Sequence, residues 1–395
     1  ADVIVGAQTA NSNTGAAYIV FGAASFASSY ALGALSSNGF IIDGTVANER
    51  FGTSVAAGGD IDGDGFDDVI IGAPGSTSSQ AGAAYILYGS SGLGSDITSS
   101  ALGEQISGID AEDKAGYRVD GIGDINGDGL DDVLISAPSA FGENNLSAYS
   151  GEAYVLFGQD GGLPALTVLD DPQLWNSSLG FAITSSVAGT ELGSSVSGLG
   201  DINGDGFADF AVGATLDGPD GISQAGSVFL IYGSGSSFSQ TLDVQTLDDG
   251  DGSIGFRLKG NEIAGRIGYE ISGAGDVNGD GFDDMLIDNR NSEPIGGTNT
   301  GSVYLVFGGN DNFGADFSLA EMSSDEGIAL YGVDDFDQVG RALSSAGDLN
   351  GDGFDDILIG AQNADGLTNT ATDTGEAYVV FGRDFTLSVD SIGSG

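Results

Sequence analysis

A nine-residue pattern recurs five times and limits what this chain can fold into. It stands at residues 60–68 (DIDGDGFDD), 124–132 (DINGDGLDD), 201–209 (DINGDGFAD), 276–284 (DVNGDGFDD) and 348–356 (DLNGDGFDD). Successive copies start 64, 77, 75 and 72 residues apart. That period is too long for a solenoid turn and suits one small antiparallel sheet with long connections. A length of 395 residues would otherwise suggest two or three ordinary domains, but a repeat kept in phase along the chain argues for a single array.

The flanks repeat as well. A small-residue strand carrying a bulky–Gly pair is expected before each copy: Phe51-Gly52, Ala115-Gly116, Leu192-Gly193, Ile267-Gly268 and Val339-Gly340. A nearly continuous apolar run follows each copy, as in residues 69–73 (VIIGA) and 357–361 (ILIGA), and short runs of this kind bounded by Gly read as strands buried on both faces. A third strand ends in an aromatic–Gly pair at residues 17–22, 84–89, 153–158, 228–233, 303–308 and 377–382. Its aromatics Tyr18, Tyr85, Tyr154, Phe229, Tyr304 and Tyr378 recur in register and are expected in the core. Weaker fourth strands are placed at 39–44, 105–108, 180–182, 255–260 and 327–332. The predicted fold is therefore all-β, a β-propeller of four-stranded blades with six blades evident and seven possible in an intact protein. The approximate repeats are 1–44 (partial), 45–109, 110–183, 184–260, 261–332 and 333–395 (partial), read as one propeller over 1–395. Asp2 aligns with the last position of the nine-residue pattern, so both ends read as cut in phase, and the section as part of a larger protein.

The pattern Asp-x-[Asp/Asn]-x-Asp-Gly-x-x-Asp supplies hard oxygen donors at alternate positions. Position 1 is Asp60, Asp124, Asp201, Asp276 or Asp348; position 3 is Asp62, Asn126, Asn203, Asn278 or Asn350. Position 5 is Asp64, Asp128, Asp205, Asp280 or Asp352, and position 9 is Asp68, Asp132, Asp209, Asp284 or Asp356. The backbone carbonyl at position 7 (Phe66, Leu130, Phe207, Phe282, Phe354) would complete an oxygen cage for Ca²⁺, so five calcium sites are expected. Several protein oxygens favour calcium over magnesium, which dehydrates reluctantly. An EF-hand would need a Glu at position 12, where this chain has Ile71, Ile135, Val212, Ile287 and Ile359. A single such loop could be an ordinary acidic turn, but five in phase could not. The expected role of the metal is structural: it pins hairpins whose carboxylates would otherwise repel.

Charge and composition narrow the partners. The chain carries 58 acidic and 9 basic residues, a net charge of −49, which repels nucleic acid and anionic membrane faces. Such a charge opposes compaction unless cations bind, which fits a salty or extracellular setting. Absence of Cys and His removes thiolate nucleophiles, His-based triads and the usual zinc sites. The sequence opens on Ala1 without a Met or a basic leader, as a processed or cut end would, and no apolar run reaches the ~20 residues of a membrane span.

These motifs, with Gly72-Ala73-Pro74 and its variants Gly6-Ala7-Gln8, Ser136-Ala137-Pro138, Gly213-Ala214-Thr215 and Gly360-Ala361-Gln362, resemble the FG-GAP repeats of the integrin α-subunit propeller. The resemblance covers nearly the whole chain. It implies adhesion or ligand binding as a module of a larger secreted or cell-surface protein, with a protein or carbohydrate ligand. Calcium loops in all five full repeats make a bacterial, calcium-rich branch the nearer comparison. In one blade Asp288-Asn289-Arg290 replaces Gly-Ala-Pro, which marks an altered turn or a contact site, and no Arg-Gly-Asp occurs.

Two other functions compete. Strands with free edges could assemble the chain with its own copies as a subunit of a surface layer, sheath or filament. The chain could instead be the non-catalytic part of a secreted hydrolase; an enzyme built from it would need a carboxylate pair, Lys114, Lys259 or a Tyr as base, and no such pair stands out beyond the loops, so it is read as not an enzyme. Trp175 reads as a surface staple or partial core residue, with stacking on a sugar as the alternative. Arg257, Lys259 and Arg266 read as local ion pairs with nearby Asp, with an anionic-ligand site as the alternative.

Overall fold

Each repeat forms its own antiparallel sheet in the computed structural model, which describes residues 2–385 except 24–28, 76, 78, 103, 142–148, 165–167, 170–177, 248–251, 294–297, 311–315 and 366–373. The sheets fall into two compact units, Ala1–Thr184 with Ser236–Leu242 and Ser185–Gly235 with Asp243–Gly395.

In the first unit the second sheet shows the plan most fully. Its strands are Ser54–Gly59, Asp68–Ala73, Ala83–Leu87 and Glu104–Ser107, hydrogen-bonded in chain order. The acidic loop joins the first strand to the second, and the aromatic–Gly pair closes the third. The first sheet begins with Val3–Ala7, the equivalent of a second strand, and continues through Ala16–Val20 and Gly39–Asp43. The third contains Val119–Gly123, Asp132–Ala137, Glu152–Leu156 and Gly180–Thr184.

The second unit repeats the plan. The fourth sheet is built from Leu192–Gly200, Asp209–Ala214, Ser227–Ile231 and Gly255–Lys259, and the fifth from Ile271–Gly275, Asp284–Asn289, Ser302–Val306 and Gly327–Tyr331. The sixth has three described strands, Val339–Gly347, Asp356–Ala361 and Glu376–Val380. The fold is all-β, in six sheets whose strand order is that expected of propeller blades.

Apolar side chains on both faces of the inner strands join neighbouring sheets. Ile70, Ile86, Val133, Ile135 and Tyr154 share one core cluster in the first unit, and Leu230, Phe256, Ile287 and Tyr304 share one in the second. Each such residue contributes on the order of 1.5–3 kcal/mol when fully buried. The register aromatics Tyr85, Tyr154, Phe229 and Tyr304 are buried as expected, whereas Tyr18 and Tyr378 are half-buried. Trp175 lies outside the described residues.

Two features differ from the sequence expectation. The bulky–Gly pair is not regular strand: in the second, third and fifth sheets it precedes the first strand, and in the fourth and sixth the register shifts directly after it. Phe51, Ala115 and Val339 instead form isolated parallel bridges to Gly15, Gly82 and Gly301 of the preceding sheet. There the backbones meet closely; a Cβ on Gly72 would lie 2.1 Å from the Gly116 carbonyl oxygen.

The long connection between third and fourth strands is the second difference. Ile97–Thr98, from the second repeat, pairs in parallel with the outer strand of the first sheet, and Asp316–Ser318, from the fifth, does so with that of the fourth. Leu169 N, from the third repeat, donates to Ser107 O of the second sheet at 2.9 Å. The connections thus cover outer edges that would otherwise expose unpaired backbone groups.

A bulge ends each first strand, with Gly59, Gly123, Gly200, Gly275 and Gly347 at φ of 68°, 71°, 80°, 73° and 60°. The left-handed conformation suits Gly, and at Gly275 space also requires it, because a Cβ would lie 2.1 Å from Asp355 Oδ2. Gly189, at φ 75°, has nothing within 4 Å of its would-be Cβ. Gly275→Ala is therefore expected to destabilise the fold by about 1–3 kcal/mol more than Gly189→Ala in urea unfolding, the difference reporting overpacking and not dihedral strain.

Candidate functional site

The five acidic loops are held by their last residue. Asp68, Asp132, Asp209, Asp284 and Asp356 each start a second strand and are nearly or fully buried. One carboxylate oxygen accepts the N–H of position 2 (Ile61, Ile125, Ile202, Val277 or Leu349) at 2.9 Å in every loop. The other accepts the N–H of the Gly that ends the third strand, from 2.7 Å at Gly89 to 2.9 Å at Gly382. Asp2 takes the same place in the first sheet, accepting from Gly22 N at 2.6 Å.

The remaining loop carboxylates are wound in by backbone donors. In the second to fifth loops position 1 accepts on one oxygen from the N–H groups of positions 4 and 5, and on the other from that of position 6. Position 3 accepts from the N–H of position 5, and position 5 from that of position 7. Asn126, Asn203 and Asn278 also donate their side-chain amides to Asp128, Asp205 and Asp280 at 3.0, 3.0 and 2.9 Å.

The first loop is arranged differently. Asp62 replaces Asn at position 3, and ligand oxygens of Asp60, Asp62 and Asp68 lie within 4.8 Å of one another, the one such carboxylate triplet among the described residues. Asp60 Oδ2 accepts from Gly65 N at 3.0 Å, but Oδ1 is buried and accepts no hydrogen bond. A buried carboxylate oxygen without a donor is costly unless a cation meets it. Hard oxygens converging on such an atom fit a calcium ion. Asp64 stands outside the triplet and accepts from Phe66 N at 2.9 Å.

FG-GAP repeat models match residues 51–87, 115–156, 192–231, 268–306 and 339–380, just over half of the sequence and every complete loop. The chain belongs to the FG-GAP repeat family. Among curated proteins it is 33% identical to integrin alpha-4 of Xenopus laevis over 41% of this chain and 13% of that protein. It is 29% identical to integrin alpha-PS2 of Drosophila melanogaster over 60% of this chain and 15% of that one. A phosphatidylinositol-glycan-specific phospholipase D of Dictyostelium discoideum is 29% identical over 42% of this chain and 17% of its own length. The chain thus spans less than a fifth of each of these relatives.

FG-GAP loops in this chain are also linked to one another by a residue that motif reading passed over. Position 8 is Asp131, Asp283 or Asp355 in three loops, and its carboxylate accepts the N–H of position 1 in the preceding loop: Asp60 at 2.8 Å, Asp201 at 2.8 Å and Asp276 at 3.0 Å. The position 8 N–H returns a bond to the same residue's carbonyl. The signal was visible as an Asp-Asp ending in four of five copies, the third having Ala208-Asp209.

The other singled-out polar residues act locally. Arg257 pairs with Asp217, and Lys259 Nζ lies 3.2 Å from Asp220, while Arg266 donates to the Gln224 amide oxygen at 2.9 Å. Asp288-Asn289-Arg290 is buried; Arg290 pairs with Asp288 at 2.8 Å and covers the Tyr269 ring at 3.7 Å. The Gly-Ala-Pro replacement is a buried ion pair capped by an aromatic ring.

Burial dominates the electrostatics of Asp68, Asp132, Asp209 and Asp284. It raises Asp132 to about 8, Asp209 and Asp284 to about 7 and Asp68 to about 6, against the two backbone N–H bonds that favour the ionised form. A raised folded value means that the folded chain holds protons the unfolded chain has released, so stability falls as pH rises from the ordinary carboxylate range. Metal-free protein is expected to melt at a lower temperature at pH 8 than at pH 5; a higher melting temperature at pH 8 would contradict this electrostatic account. Asp355→Ala, which leaves the Asp276 N–H without its acceptor, is expected to cost about 1–3 kcal/mol in urea unfolding.

Proposed function

We propose that the chain is a calcium-held FG-GAP propeller, its six sheets forming one array, that serves outside a bacterial cell as the adhesion or ligand-binding module of a larger secreted or surface protein. The observation that carries the metal assignment is the Asp60–Asp62–Asp68 triplet with its donorless buried oxygen. In the other four loops the same donor types stand at positions 1, 3, 5 and 9, and calcium there would take charge off carboxylates already drawn together by backbone N–H groups. The metal holds the loops and takes no part in chemistry, and the module itself is not an enzyme.

The family supports the ligand-binding reading, since integrin alpha chains are among the relatives. No described helix is long and apolar enough to cross a membrane. A net charge of −49 is tolerated best where cations are plentiful, which supports an extracellular setting and argues against nucleic acid as a partner.

Sedimentation velocity in millimolar calcium and after metal removal tests this reading. The expected result is a compact monomer with calcium and an expanded, less stable chain without it, and large ordered species in calcium would favour a self-assembling surface subunit instead. Asp60→Ala is expected to reduce the number of calcium ions bound, measured by equilibrium dialysis. A chain whose sedimentation and melting ignore calcium would overturn the metal assignment.

A further inference from the structure

Only three cationic residues occur before residue 257: Arg50, Lys114 and Arg118. All three line one cavity of about 660 Å³ within the first unit, and Glu112 is the single acidic residue on its wall. For a chain with 58 acidic and 9 basic residues, this is a strong local inversion of charge. Arg50 and Lys114 are exposed and make no ion pair among the described residues. The carboxylates beside them in sequence are buried and held on one oxygen each, Glu49 by the Tyr85 hydroxyl and Asp113 by Asp110 N at 2.7 Å, with Glu49 Oε2 and Asp113 Oδ1 accepting no hydrogen bond.

The backbone carrying these cations is informative. Arg50 and Lys114 are equivalent residues one repeat apart, each directly before the bulky–Gly pair, with φ of 57° and 61°. The equivalent Glu191, Arg266 and Gln338 share this conformation, at φ of 54°, 57° and 52°, so the repeat sets the backbone and leaves the choice of side chain, cationic here, to each position. Arg118 lies beside the Tyr117 ring, 5.7 Å from its centroid, and Tyr149 presents a second ring that is 49% exposed.

Resting on the ligand-binding reading above, the geometry points to an acidic saccharide as the occupant of this cavity. The cations suit its carboxylate or sulfate groups, and the exposed Tyr149 ring offers a flat face to a sugar ring. Gln8 and Ser139 supply neutral donors and acceptors for hydroxyl groups, while the Gln80 amide and the Thr53 hydroxyl on the same wall are bonded within the protein. An acidic protein surface fits less well, because Pro74 and the tyrosine rings are the main apolar surface, and protein interfaces depend on apolar anchors at their centre.

The test is calorimetric titration of the chain in millimolar calcium with four probes: a galacturonate trisaccharide, its neutral methyl ester, a sulfated disaccharide and hexaglutamate. Binding of the galacturonate or the sulfated sugar, weakening with added salt and absent for the methyl ester, is expected, and the two arms show which anion is read. The double variant Arg50→Gln, Lys114→Gln is expected to lose roughly tenfold or more in affinity at unchanged melting temperature, as charge-assisted contacts are removed. Tyr149→Ala, which leaves the charge intact, is expected to weaken the same binding. Equal binding of the methyl ester, wild-type affinity in the double variant, or no binding of either acidic sugar overturns the assignment. Hexaglutamate binding alone would overturn the saccharide but leave a ligand-binding module standing, and a melting temperature indifferent to calcium would remove the metal assignment without touching this site.

Discussion

The structure depends on one buried carboxylate per repeat that accepts two backbone N–H groups from opposite directions. Asp68, Asp132, Asp209, Asp284 and Asp356 each bind the entry of their own acidic loop with one oxygen and the end of the third strand with the other. The residue therefore fixes the loop relative to the sheet before any cation is considered. Charge-assisted bonds to backbone donors are among the stronger hydrogen bonds in proteins, but a buried carboxylate is expensive even so. Raised proton affinity at Asp132, Asp209 and Asp284 records that expense.

Five copies of this compromise explain how so acidic a chain supports its antiparallel sheets. Backbone donors gather the outer carboxylates within each loop, and position 8 passes the arrangement on to the loop before it. Much of the acidity is therefore engaged in local bonds. The few cations are disposed unevenly: Arg257 and Arg290 are buried against Asp217 and Asp288, whereas Arg50 and Lys114 remain in the open.

Most of the architecture was legible because its determinants are local. Apolar runs such as 69–73 and aromatic–Gly endings such as Tyr88-Gly89 specify strand and stop within a few residues, so strand order and approximate bounds followed from sequence. The spacing of the loop side chains was legible too, but not their unequal arrangement, since the first loop, with Asp62 where the others have Asn, brings three carboxylates together at the same motif spacing. Asp131, Asp283 and Asp355 escaped notice because their partners lie 71, 82 and 79 residues away. The bulky–Gly pair was misplaced for a related reason: Phe51 and Val339 answer to a neighbouring sheet's backbone, which period-two alternation cannot reveal.

The edge strands at Ile97–Thr98 and Asp316–Ser318 belong in sequence to one repeat and in space to the sheet before it. The unit copied in the sequence and the unit completed in the fold are consequently out of step. A duplication that reproduces a single sheet's worth of chain inherits a borrowed edge and leaves its own uncovered until another repeat follows. Such a chain grows best by whole runs of repeats, and a recombination breakpoint placed inside the connection after an aromatic–Gly pair disturbs two sheets at once.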